Sequence, residues 1–102
     1  MDKRTARLIQ QLKEFKQRNK ISKLYLFGSA ASGKTRKSSD VDLLVVAKRF
    51  RGKGLLERAP GLYMDWNLDY PVDFLCYAPE EFNKLRTQIT IVKEAVEKGI
   101  EI

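Results

Sequence analysis

Between Thr5 and Gln17, Leu8, Leu12 and Phe15 recur at helical spacing, joined by Ile9, while Arg4, Arg7, Lys13 and Lys16 fall mostly elsewhere on the wheel. The spacing predicts an opening amphipathic helix. The next run, Ile21 to Phe27, is rich in strand-forming residues and stops at Gly28, predicting a strand with Ile21, Tyr25 and Phe27 on one face. Ser29 to Ser39 is dominated by Gly, Ser, Ala and basic residues and leaves room for one helical turn followed by a loop. Asp40 to Val46 is continuously apolar after its first residues, the signature of a strand buried on both faces in the middle of a sheet.

A basic loop, Lys48 to Gly54, precedes a helical pattern over Leu55 to Asp69 that Pro60-Gly61 must break or kink. Pro71 introduces a third strand, Val72 to Tyr77. Pro79 suits a first helical position and Glu80 and Glu81 its positive end; Phe82, Leu85, Ile89, Val92 and Val96 predict a continuing apolar face to Gly99. Ile100 to Ile102 fits a terminal edge strand. Helix, strand, strand, helix, strand, helix, with no internal repeat, predicts an α/β fold, a small mixed β-sheet with helices packed on it, as one domain over residues 1–102.

Composition narrows the chemistry. Histidine is absent, which removes Ser-His-Asp and Cys-His catalysis and His-bound zinc, and the lone Cys76 excludes an internal disulfide or a multi-cysteine zinc site. Carboxylates, hydroxyls, Lys, Tyr and backbone amides remain, so oxygen-ligated metal chemistry is the natural candidate. Met1-Asp2-Lys3-Arg4 leads straight into the charged helix without an apolar segment, and no stretch is long and apolar enough to span a membrane; a cytoplasmic protein is expected. The net charge of +7 suits a polyanionic partner, a nucleotide or an acidic protein, with nucleic acid possible but not favoured because basic helix faces are common on small proteins.

Asp40 and Asp42 are separated by one strand residue and therefore point to the same side of the sheet. At about 4 Å and an effective dielectric near 20, two carboxylates repel by roughly 4 kcal/mol, which a divalent cation would offset. Asp73 alternates with Val72 and Phe74 and could join the pair from a neighbouring strand. Three hard oxygen ligands suit one or two Mg²⁺ ions, which also bind triphosphate oxygens. Gly28-Ser29 ends the preceding strand, where a glycine lets the backbone approach a phosphate and the Ser hydroxyl adds a donor.

Gly28 to Thr35 also satisfies the P-loop pattern G-x-x-x-x-G-K-[ST]. A P-loop needs a substantial helix starting at Lys34-Thr35, yet only Arg36 to Ser39 separate that pair from the next strand, and a P-loop nucleotidase is the weaker reading. Gly-Ser, ten residues, Asp-x-Asp and a later strand with a central Asp (Gly28-Ser29, Asp40-Val41-Asp42 and Val72-Asp73-Phe74) together resemble the DNA polymerase beta-like nucleotidyltransferase superfamily. The short chain, the Ser-Ser-Asp-Val-Asp-Leu-Leu-Val-Val string and the Glu-Lys-Gly-Ile-Glu-Ile ending look most like its minimal branch, and the likeness covers nearly the whole chain.

The resemblance implies that Asp40 and Asp42 bind the metals holding an NTP, that Asp73 takes part in the metal site and activates the acceptor hydroxyl, and that Gly28 and Ser29 hold phosphates. It implies Mg²⁺ as cofactor and transfer of a nucleoside monophosphate, AMP from ATP, with release of pyrophosphate. Minimal members are often antitoxins paired with a helical HEPN-type ribonuclease toxin, so a protein acceptor is the expected partner; an antitoxin that acts by occlusion without catalysis is the alternative. Lys34, Arg36 and Lys37 could assist the triphosphate but read more simply as a solvated loop, and Tyr63, Trp66 and Tyr70 could stack a base or meet a partner, with packing the simpler role.

Overall fold

The amphipathic stripe seen in the sequence closes as helix α1, Lys3–Arg18, which buries Leu8, Leu12 and Phe15. In this computed structural model, which describes residues 3–32 and 40–102, α1 ends in a left-handed cap. Lys20 takes φ 52°, the Lys20 N–H donates to the Gln17 carbonyl (3.2 Å) and the Ile21 N–H to the Lys16 carbonyl (3.0 Å). This paired closure satisfies the last carbonyls of the helix.

The cap also corrects one expectation. Strand β1 is Lys23–Phe27, shorter than the apolar run, because Ile21 is still part of the helix closure. Ile21 therefore packs with Leu24 and Leu26 on the α1 side, while Tyr25 faces the other way. A single-residue alternation cannot be extrapolated through a cap.

Gly28 turns the chain into a short 3₁₀ turn, Ser29–Ser32, as the sequence predicts; Lys34, Arg36 and Lys37 and the Gly33-Lys34-Thr35 segment of the P-loop pattern lie outside the described residues. Strand β2, Val41–Val46, follows, then a 3₁₀ turn Lys48–Phe50 and two short helices, α2 (Leu55–Arg58) and α3 (Pro60–Asp65). Pro60 starts α3 at its first position, so the proline breaks the pattern into two helices. Leu55 and Leu56 stay exposed, and the α2 residue that goes inside is Arg58.

Strand β3, Val72–Tyr77, leads to α4 (Pro79–Leu85), α5 (Ile91–Lys98) and the edge strand β4 (Ile100–Glu101). The expected continuous C-terminal helix is two. Thr90 caps α5, its hydroxyl accepting from the Lys93 N–H and donating to the Leu85 carbonyl, so Ile89 sits in the break and is 98% exposed.

The four strands form one mixed sheet in the order β3-β2-β1-β4. β1 is antiparallel to β2 and β4, and β2 is parallel to β3. β2 is interior, and its alternate residues enter two cores: Val41, Leu43 and Val45 pack toward α1 and α3, and Leu44 and Val46 toward α4 and α5. This is the two-sided burial expected of an uninterrupted apolar strand. Cys76 is buried in the α1-side core, and burial pushes its thiol up to about 11, so it is a packing residue and not a nucleophile.

Candidate active site

The site is built at the end of the sheet where β1 finishes and β2 and β3 begin. Register places Phe27 of β1 opposite Asp42 of β2, and Asp42 beside Asp73 of β3. One cross-strand row thus carries two carboxylates on neighbouring strands, whose backbones run about 4.8 Å apart. Both project to the side of Leu44 and Leu75, the α4–α5 face.

Gly28 completes the row. Its φ of 75° lies in the left-handed region, and the Asp42 carboxylate sits directly over its Cα. A methyl group there would overlap Oδ2 of Asp42 and lie 3.3 Å from Cγ. Glycine is required twice, by backbone conformation and by close approach. Beyond it, the Ala31 N–H donates to the Gly28 carbonyl (3.1 Å), closing the turn that carries the exposed Ser29.

Asp40 precedes β2 and is exposed, while Asp42 is partly buried. Burial raises the Asp42 carboxyl above its ordinary value, and the charges of Asp73 and then Asp40 push it further. Asp40, Asp42 and Asp73 therefore share one electrostatic neighbourhood. Their chemistry, hard carboxylate oxygens whose mutual repulsion no ion pair offsets among the described residues, fits a divalent cation. Among the described residues no group of three acidic or thiol side chains forms a ready-made metal cage; Mg²⁺ ordinarily takes one or two carboxylates and fills its remaining positions with phosphate oxygens and water.

The pattern reading missed what lies on the other side of Gly28. A cleft of about 400 Å³ opens there, lined by Phe27, Gly28, Ala31, Ile91, Ala95 and the α5 residues Glu94 and Lys98. Its volume falls in the range of small-molecule sites. Gly99 lies where the α5 wall of the cleft ends against β1. A methyl group at Gly99 would lie 2.7 Å from the Leu26 carbonyl, so only glycine lets the end of α5 descend onto β1 beside Gly28. In the sequence Gly99 reads merely as a helix stop; its second role is signalled only by the strand that follows at once.

Of the aromatic residues considered for stacking, Trp66 packs edge-on against Phe15 and Phe74 and donates its indole N–H to the Tyr70 carbonyl (2.9 Å). Tyr63 lies edge-on to Phe74 and Tyr70 leans on the same core. Packing accounts for all three.

The model of the nucleotidyltransferase domain family matches residues 8–100. The fold is similar to the crystal structure of a protein from Sulfolobus solfataricus that carries a provisional nucleotidyltransferase assignment, with a TM-score of 0.64 and 20% identity over 95% of this chain and 80% of that one. At that identity the likeness speaks for fold alone. No curated protein matches the chain. No helix among the described residues is long and apolar enough to cross a membrane.

Proposed function

Starting from a chain that belongs to the nucleotidyltransferase domain family, whose members act on nucleoside triphosphates, we propose that it transfers AMP from ATP to a hydroxyl of a protein acceptor. The observation that carries this reading is the row Gly28, Asp42 and Asp73, a tight glycine turn packed on one carboxylate with a second carboxylate beside it. Nucleotidyl transfer needs a place for the phosphates next to groups that hold a cation and accept a proton.

Asp40 and Asp42 are the residues proposed to hold Mg²⁺, with Asp73 completing the site. When bound, the ion neutralises triphosphate oxygens and draws charge from the departing pyrophosphate. Gly28 and Ser29 receive the phosphates, and the cleft beside Gly28 takes the nucleoside, its base lying on Phe27, Ala31 and Ala95. The acceptor oxygen attacks the α-phosphorus, the bond from that phosphorus to the bridging oxygen breaks, pyrophosphate leaves, and the hydroxyl proton passes to the Asp73 carboxylate.

The acceptor is proposed to be a HEPN-type helical toxin, which this chain would neutralise by adding AMP. Incubating the two proteins with ATP and Mg²⁺ should increase the acceptor's intact mass by one AMP. The increase should vanish with Asp40→Asn/Asp42→Asn and with Asp73→Asn. An adduct that survives these variants would overturn the assignment, and full neutralisation by the double Asn variant would establish action by occlusion instead.

A further inference from the structure

A second cleft, of about 640 Å³, lies between the first two turns of α1 and the loop before β3, lined by Lys3, Arg4, Arg7, Gln11, Asp69 and Tyr70. Lys3, Arg4, Arg7 and Gln11 follow the three- and four-residue spacing of one helix face. Their charges are available. Arg18, Arg51 and Arg58 are paired with Asp65, Glu80 and Glu81, whereas Lys3, Arg4 and Arg7 form no ion pair among the described residues, although Asp69 lines the same cleft.

The cleft is also placed to matter. The tight turn between α1 and β1 puts the start of α1 at the end of the sheet where β1 finishes, which is the active-site end. Tyr70 precedes Asp73 by three residues, at most about 11 Å of chain. Pro71, between them, accepts a hydrogen bond from the Val41 N–H (2.8 Å), tying this loop to the segment from Asp40 to Asp42. Across the sheet order, Gly28 and its cleft lie on the β1 side, whereas this basic cleft lies on the α1 face, opposite to the face toward which Asp73 projects, beside the loop that leads into Asp73.

We infer that this cleft docks an acidic segment of the acceptor protein, holding the acceptor beside the loop that leads into Asp73. The inference rests on the protein-acceptor reading above. Arginine forks match carboxylates with two parallel hydrogen bonds. A polynucleotide fits less well: single strands are held by aromatic platforms as well as charge, and the cleft's one aromatic ring, Tyr70, leans on the core.

The test uses the intact chain and a fluorescein-labelled deca-glutamate peptide, read by anisotropy at fixed ionic strength without nucleotide. Arg4→Glu/Arg7→Glu should weaken binding roughly tenfold or more, two screened pairs being not only lost but reversed. Lys48→Glu/Lys53→Glu, the same charge change on the far loop, should weaken it less than about threefold. A labelled deca-uridylate should bind more weakly than the peptide. Equal losses from both reversals, absent peptide binding, or tighter binding of the oligonucleotide would each overturn the inference. All four positions are exposed, and an unchanged melting temperature confirms folding. Because no transfer is read, a failure here is separate from a failure of the carboxylates to support AMP addition.

Discussion

At the scale of single residues, Gly28 and Asp42 form one unit. Any side chain at Gly28 meets two penalties, a left-handed backbone and an overlap with the Asp42 carboxylate. Gly28→Ala should cost about 1–3 kcal/mol in a denaturant titration, and it should abolish nucleotide transfer because the relief available is displacement of Asp42. Asp42 carries the opposite kind of tension. Its raised carboxyl binds a proton more tightly folded than unfolded, so the contribution is fully present below the unfolded carboxyl's pKa and is lost as pH rises through the folded value. In metal-free buffer, Asp42→Asn should therefore remove that loss and raise the melting temperature near neutral pH by a few degrees, while ending activity. An unchanged or lower melting temperature would show that the acidic row is not under repulsion.

At the scale of elements, the short helices are held by one buried cation. Arg58 donates to the Lys53 carbonyl (3.0 Å), the Cys76 carbonyl (3.1 Å) and the Glu81 carboxylate (2.6 Å), so it ties α2 to the end of β3 and the start of α4. Glu81 also accepts from the Ala78 N–H (2.7 Å), the reverse half of a capping box. Arg58→Met would strand the Cys76 carbonyl and leave Glu81 without its partner, and should cost about 2–4 kcal/mol by urea denaturation. Arg58 and then the Ala78 amide hold the Glu81 carboxyl below its ordinary range, so this contribution is present above the unfolded carboxyl's pKa and is lost as pH falls through the folded value. The Arg58→Met variant should accordingly lose less stability on acidification than the parent chain. Glu81 at the start of α4 is legible in the sequence, but its partner is not, since Arg58 is one of twenty basic residues in a helical pattern that opens with Leu55 and Leu56. A helix of four residues has too few turns to present a face, and hydrogen bonds to a distant strand decide which side chain turns in.

At the scale of the whole molecule, the strands were readable because each sits in the environment its pattern encodes: β2 buried on both sides, and Asp42 and Asp73 interrupting apolar runs at positions that become partners in one row. The cleft beside Gly28 was not readable, since it depends on how far α5 descends onto β1. These two parts of the site make a joint prediction about stability. A ligand that binds only the folded chain stabilises it by about 2.7 kcal/mol at a hundred times its dissociation constant, which for a domain of this size shifts the melting temperature by roughly ten degrees or more. ATP with Mg²⁺ should produce that shift, and chelating the metal should remove most of it. Asp40→Asn/Asp42→Asn should lose the metal-dependent part, because the charged oxygens proposed to hold the cation are gone, whereas Arg58→Met, destabilised far from the row, should keep the full increment above its own lower baseline. A shift of equal size in the double Asn variant would mean that ATP is held by the protein's basic surface and not at the acidic row.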